Sequence, residues 1–307
     1  MITLLDTDAA VFALEPEWTA LWSLVPGATP FAHPAWLLPW WRQFGNGQAR
    51  VAVARASGVL TGVLPMYALD GRCLPIGAGM TDYHDALLVP GQPVMPLVAA
   101  LPGPVELMEV PPGAALRTLP AAWSATAPCP ALALTGTVMT LLPPRTARKL
   151  RMNRNRAARA GGFTMERATP ETAPPLLEHL IRLHTARWTG QGEAGVLADA
   201  AVLAFHRASA PGLVAAGLLR LQVLRVQGIV AAACYALLAE GRILFYLSGF
   251  DAGFAEISPG TLLLAAMLEE AQAEGRWEAD FLRGNEAYKY AWGGVDRYNL
   301  CARLPVK

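Results

Sequence analysis

The sequence predicts an α/β protein, α+β in the ordering of its strands, made of two units of like topology. Each is expected to be a mixed, largely antiparallel sheet flanked by helices. Three observations lead there. The chain has 307 residues, about two domains' worth at roughly 150 each. Hydrophobic residues make up 53% of it, enough for two sizeable cores. Two segments also align without gaps at an offset of 170: VARASGVLTGVLPMYALDGRCL from Val53 and VLRVQGIVAAACYALLAEGRIL from Val223.

In that alignment Arg55 meets Arg225, Gly58 meets Gly228, Gly71 meets Gly241 and Arg72 meets Arg242, while Asp70 stands against Glu240. Each copy reads as a strand, a tight turn at Gly, a long apolar strand, a turn at Asp-Gly or Glu-Gly, and a third strand, which are the turn signals of a β-meander. Helical patterns precede each copy, over 15–25 and 33–44 for the first and over 172–189 and 199–210 for the second. Further strands are expected over 105–110 and 277–282. Trp36, Trp40 and Trp41 fall at helical spacing and belong to the core against the first meander. The junction is placed at 144/145, giving a first unit over 1–144 and a second over 145–307.

Composition excludes several classes. The longest apolar run, Gly228 to Ala239, is too short to span a bilayer, which takes about 20 residues. MITLLDTD has no basic start and reads as no signal peptide. Cys73, Cys129, Cys234 and Cys301 lie far apart with no CxxC or Cys/His cluster, so neither a disulfide framework nor a metal site is expected. A cytoplasmic protein without membrane insertion fits these features. A net charge of +1 says nothing about partners, and the oligomeric state is not legible.

The copies differ after the third strand. The second runs through a loop into SPGTLLLAAMLEEAQAEG, an amphipathic helix of about four turns. In the first, GMTDYHDALLVPGQPVMPLVAALPG carries Pro93 and Pro96 and leaves room for a short helix only. This points to one catalytic half and one degenerate, supporting half. At the new helix start, Ser258 suits the N-cap and Pro259 the first helical position, and Gly260 lets a ligand approach the backbone. No acid occupies the first turn, so its free N–H groups and partial positive charge are open to a phosphate; an ordinary capped helix is the plainer reading.

LHTARW (183–188), FHRA (205–208), YLSGFD (246–251), SPGTLLL (258–264) and DFLRGNEAYKYAWG (280–293) together resemble the GNAT-superfamily acetyltransferases called CelD/BcsL-like, which often accompany cellulose or exopolysaccharide synthesis. FAHPAWLLPWWRQFG (31–45) and TDYHDALLVPG (81–91) look like the same family's N-terminal signatures. The resemblance covers nearly the whole chain. It implies two tandem GNAT-like domains, as in FemX-type transferases, an acyl-CoA donor such as acetyl-CoA, and an amine acceptor. It also implies that the fourth strand of the catalytic half splays from the fifth to admit the pantetheine, with the pyrophosphate on the next helix start. Here that maps onto Tyr246, Leu247, Ser248 and Gly249 for the strand and Ser258, Pro259, Gly260 and Thr261 for the phosphate cup. The superfamily's usual loop pattern, Q/R-x-x-G-x-G/A, is absent, and SPGT stands in its place.

Acyl transfer to an amine needs a free amine, a polarised carbonyl and a proton for the leaving thiolate. Asp280 is a candidate base, or else an acid paired with Arg283 or Lys289. Tyr288 and Tyr290 are candidate proton donors, or core tyrosines. Arg283 and Lys289 are candidates to hold an anionic group. His184, Arg187 and Trp188 share a helix of the catalytic half and are candidate substrate residues. Asp82, Tyr83 and Asp85 in the first half suit an acceptor pocket facing a cleft between the halves, or a capped turn. The run RTARKLRMNRNRAAR (145–159) holds seven of the chain's 25 basic residues. It reads as a solvated connecting helix, or as a dock for nucleotide phosphates, an acidic glycan or tRNA; no aromatics interleave for single-stranded nucleic acid.

The leading expectation is therefore an acyl-CoA-dependent N-acetyltransferase acting on a primary amine of a small or envelope-related molecule, with no metal and no nucleic-acid partner. The alternatives are a FemX-like transferase using aminoacyl-tRNA, and a non-catalytic binding protein of a polysaccharide assembly.

Overall fold

The computed structural model describes residues 1–190 and 192–305. The chain forms two compact units, one of Met1–Pro128 completed by the strand Tyr298–Leu304, the other of Cys129–Arg297. The division thus falls at Pro128/Cys129 rather than at the expected 144/145. The reason is strand membership: the last strand of the chain pairs in the first unit's sheet, and residues just before 144 already pair in the second's.

The first unit runs β1 (Ile2–Leu5), α1 (Asp8–Ala13), α2 (Glu15–Leu24), α3 (Pro34–Phe44), β2 (Gln48–Ala56), β3 (Val59–Leu69), β4 (Arg72–Pro75), β5 (Leu87–Leu88), α4 (Met95–Ala99), β6 (Val105–Val110) and β7 (Ser124–Pro128). The second runs β8 (Ala131–Ala133), α5 (Val138–Leu141), α6 (Pro144–Arg159), β9 (Thr164–Arg167), α7 (Ala173–Thr189), α8 (Ala200–Ala215), β10 (Leu219–Val226), β11 (Ile229–Ala239), β12 (Arg242–Phe250), α9 (Pro259–Ala273), β13 (Glu278–Asp280) and α10 (Ala287–Ala291), after which β14 (Tyr298–Leu304) returns to the first. The first sheet has the order β1-β2-β3-β4-β6-β14-β7, with β5 against β3; the second has the order β8-β13-β12-β11-β10-β9.

The duplicated segments form the same object twice. β2–β3–β4 and β10–β11–β12 are antiparallel meanders, and each first hairpin has a register shift at matched positions, Ala54/Arg55 and Leu224/Arg225. The hairpin tips, Ser57-Gly58 and Gln227-Gly228, all take positive φ (49°, 84°, 50° and 80°), the two-residue turn whose twist suits paired strands. Each meander then continues into one parallel neighbour, β4 with β6 and β12 with β13.

Leu64, Met66, Leu97, Val105 and Val110 centre the first core, and Trp36, Trp40 and Trp41 are buried, the last two against the Tyr67 ring at 5.7 and 5.6 Å. Leu224, Ala232, Phe245, Leu262, Leu268 and Phe281 belong to the second core. Helix α4 is five residues long, with Pro96 in its first turn. Helix α8, expected to stop before Pro211, continues to Ala215, because a proline inside a helix forfeits only its own N–H bond when packing holds the rest.

Helix α9 is fixed by its C-terminal half. Arg220, buried on β10, pairs with Glu274; Gln222 donates to Glu270; Arg154 of α6 takes both oxygens of Glu269 at 2.7 and 2.8 Å. All three acids lie at one end of the helix, and its first turn holds none. The N-terminus is thereby left for other work.

Candidate active site

β12 pairs with β13 only through Arg242, Ile243 and Leu244. Beyond Leu244 the two strands part, and the pairing between them does not extend over Phe245 to Phe250. A cavity of about 380 Å³ opens at the parting. Its walls are Phe245 to Phe250 of β12, Ala233 and Cys234 of β11, the start of α9, and Tyr288 and Trp292 after β13. All eight residues expected to hold the donor, Tyr246, Leu247, Ser248, Gly249, Ser258, Pro259, Gly260 and Thr261, line this one cavity.

Ser258 stands at the N-cap position but does not cap. Its φ of 52° and ψ of 66° are left-handed, and its hydroxyl donates back to the Ala255 carbonyl at 3.4 Å. The turn is closed instead by backbone: the N–H groups of Thr261 and Leu262 both donate to the Ser258 carbonyl. Pro259 has no N–H. The N–H of Gly260 is left without a partner among the described residues, at the cavity wall. A Cβ on Gly260 would lie 3.3 Å from the Phe250 ring, so glycine brings the backbone close to that ring. Gly249 serves packing: a Cβ there would sit 2.5 Å from the His184 nitrogen and 2.7 Å from the Leu183 carbonyl carbon, so its bareness lets helix α7 lie directly on β12.

Of the three expected catalytic residues, only Tyr288 lines the cavity. The residue is 40% exposed overall. Burial first, and then the neighbouring Glu286 charge, hold the phenol above its ordinary range, with Arg187 opposing. It therefore keeps its proton at neutral pH. Tyr290 donates to Asp296 at 2.8 Å and is absent from the lining.

Asp280 is fully buried, accepts from the Leu282 N–H at 2.9 Å, and pairs with Arg297. Lys289 stands in the same turn. Its ammonium is buried and donates to the carbonyls of Leu282, Arg283 and Gly284, and it pairs with Glu286 at 2.9 Å. Between them these two charges clamp Leu282, whose φ of 58° is rare for a bulky side chain. The motif DFLRGNEAYK is thus a lock on a left-handed turn, and the turn carries Tyr288 to the cavity. Arg283 contributes its backbone to the lock and does not line the cavity.

On α7, Arg187 lines the cavity while His184 and Trp188 stand behind it. The Trp188 indole donates to His184 Nε2 at 2.9 Å. Burial, helped by the Arg187 charge, lowers the His184 pKa to about 4, so its imidazole is neutral.

Asp82, Tyr83 and Asp85 belong to the first unit and line no part of this cavity. They have folding tasks. Asp85 accepts the N–H groups of Ala86, Ala115 and Leu116, tying two loops together. Tyr83 is buried edge-on to Phe31 at 5.9 Å, and the Asp82 carbonyl accepts from Asn299 at 2.7 Å. Sequence reasoning passed over Lys149, Phe250 and Trp292. Each lay inside a quoted motif or the basic run, but only the fold shows that they face one space.

No group of three or more His, Cys, Asp or Glu side chains is placed to hold a metal among the described residues, and no helix there is long and apolar enough to cross a membrane. Residues 144–290, from α6 into α10, match the family model of the acetyltransferase (GNAT) domain. The solved structure of FemX resembles the chain at 12% identity over 94% of this chain and 95% of that one, with a TM-score of 0.65. L-PGS from Bacillus licheniformis does so at 14% identity over 94% and 90%, with a TM-score of 0.60. A conserved protein of unknown function from Bacteroides thetaiotaomicron does so at 13% over the full length of both, with a TM-score of 0.61. At such identities the likeness is one of fold alone, that of two α/β units. No curated protein matches the chain.

Proposed function

We propose that the second unit transfers an acyl group, most simply acetyl, from coenzyme A to a primary amine. One observation carries this reading. The parted strands β12 and β13 open a cavity that ends on an acid-free helix start with an unused amide, the shape and charge that a long thioester with phosphates at one end requires. Bound there, acetyl-CoA would supply an activated carbonyl and a thiolate leaving group.

The chain's own residues do the rest. Ala233, Leu247 and Leu263 give the cavity apolar walls that exclude water from the thioester. Tyr288 holds a proton that the departing sulfur can take as the C–N bond forms and the C–S bond breaks. No carboxylate or imidazole lines the cavity among the described residues, so the amine must reach it already neutral or lose its proton to water. Asp280 and Lys289 act through the turn that positions Tyr288. The acceptor class rests on the resemblance alone: an amine on a small molecule or on an envelope or exopolysaccharide precursor.

An aminoacyl-tRNA-dependent transfer is the second reading, favoured by the basic helix α6, whose Lys149 reaches the cavity wall. Calorimetric titration separates the two. Binding of acetyl-CoA and CoA, with none of bulk tRNA, supports the first; the reverse overturns it. Tyr288→Phe should lower kcat by about a hundredfold while donor affinity holds, and an unchanged kcat would remove Tyr288 from the reaction.

A further inference from the structure

The start of α9 is poor in donors. Pro259 has no N–H, and those of Thr261 and Leu262 are spent on the Ser258 carbonyl, which leaves one amide, that of Gly260. A pyrophosphate carries two charges and many acceptor oxygens, more than one amide and a helix end satisfy. Two cations line the same cavity, Lys149 and Arg187, and no acid does among the described residues.

Arg187 is held ready. Its guanidinium lies 5.4 Å from the Phe250 ring centroid and 5.8 Å from that of Trp188, a placement favourable by cation–π attraction. Trp188 is itself fixed by His184. The Arg187 Nε is buried and has no hydrogen-bond partner, and no described acid pairs with the side chain. Phe250 also touches Gly260, so the arginine and the free amide share one neighbour. Lys149 arrives from α6, whose Arg156 donates to the Glu256 carbonyl two residues before the helix N-cap. Arg154, on the same helix, pairs instead with Glu269. Lys149 forms no such pair among the described residues.

We propose that Lys149 and Arg187 bind the phosphates of the donor, side-chain cations replacing the backbone amides that the SPGT turn lacks. This rests on the acyl-CoA reading above. It assigns a task to one member of the basic run and moves Arg187 from the acceptor to the donor.

The test is titration of the full chain with CoA, 3′-dephospho-CoA and pantetheine, which has no pyrophosphate or nucleotide. Lys149→Met and Arg187→Gln should each weaken CoA by roughly tenfold or more, the scale of one charge-assisted hydrogen bond, and leave pantetheine unchanged. Dephospho-CoA shows whether either cation grips the 3′-phosphate: a variant that loses CoA but not dephospho-CoA contacts that group. Arg187→Lys should recover part of the loss. Arg154→Met, on the same helix but paired, should change nothing, and salt should weaken CoA less in Lys149→Met than in the parent. Lys149 is exposed, so its variant folds even if Arg187→Gln does not. CoA affinity within about twofold of the parent in both variants, or equal losses for CoA and pantetheine, overturns the proposal while leaving the acyl-CoA reading in place. If the parent protein binds no CoA, both fall.

Discussion

β4 and β12 are the third strands of two matched meanders. β4 stops after four residues at Pro75, whereas β12 runs nine, from Arg242 to Phe250. Both begin beside a parallel neighbour. Only the longer strand outlasts its neighbour, and so only it leaves a row of backbone and side chains facing an opening. The next helices differ accordingly: a five-residue helix bracketed by prolines in the first unit, a fifteen-residue helix aimed at the opening in the second. The comparison teaches that a shared fold becomes a site through the lengths of two elements, while the meander that precedes them is left unchanged.

The sharpest way to break this comparison is at the turn lock after β13. Lys289→Met should cost about 3 kcal/mol, because three carbonyls lose a buried charged donor around a left-handed leucine. Denaturant unfolding measures it. A loss under about 1 kcal/mol would mean that the turn holds without its lysine. Next comes Gly249→Ala, whose methyl would meet the backbone of α7 at 2.5 Å. Helix or strand must shift, at about 1–3 kcal/mol, and the cavity wall moves with them. Gly79, at the same offset in the first unit, has open space around it and a φ of +85°, so Gly79→Ala should cost only backbone strain, about 1 kcal/mol. Equal losses at the two glycines would show that the α7 contact is looser than its geometry.

These positions also show what the sequence could tell. The meanders, their helices and the residues of the cavity wall were legible because they depend on local signals: Gly at tight turns, apolar alternation, Ser-Pro-Gly before an amphipathic run. The surroundings of Asp280 and Lys289 were not legible, for a physical reason. A charge in a motif reads alike whether it faces a ligand or a buried carbonyl, and only tertiary packing decides between them. Asp85 was no more legible, since two of its three N–H donors come from a loop about thirty residues on. Lys149 was visible as charge but not as position.

Acid should distinguish the units next. Burial lowers the pKa of His33 to about 4, of His184 to about 4 and of His206 to about 3. Each is depressed below its unfolded value near 6.5, so its stabilising contribution is present above that pH and is lost as pH falls through the folded value. Asp85 runs oppositely. Burial raises it to about 6 against three N–H bonds, so its contribution is present below its unfolded value and is lost as pH rises through 6. Between about pH 7 and 5 the terms oppose each other in the first unit, which holds His33 and Asp85, and add in the second, which holds His184 and His206. Amide exchange at the two pH values should therefore show protection falling more in β10–β12 than in β2–β4. Equal loss in both sheets would contradict the assignment of these shifts.

The smallest effect tests the part of the comparison where the units should agree. Arg55 and Arg225 are duplicated residues with duplicated tasks. Each reaches the carbonyl of its own hairpin glycine, at 2.9 Å for Gly58 and 3.2 Å for Gly228, and each pairs with a glutamate, Glu17 and Glu166. Both pairs are partly exposed, where such bridges contribute about 0–1 kcal/mol. Arg55→Met and Arg225→Met should therefore each lower stability by no more than about 1 kcal/mol and differ by less than about 0.5. Neither should alter binding of CoA, since neither side chain lines the cavity. A loss of donor affinity confined to Arg225→Met would mean that the second hairpin has taken on part of the site, and that divergence between the units begins in the meander rather than at its third strand.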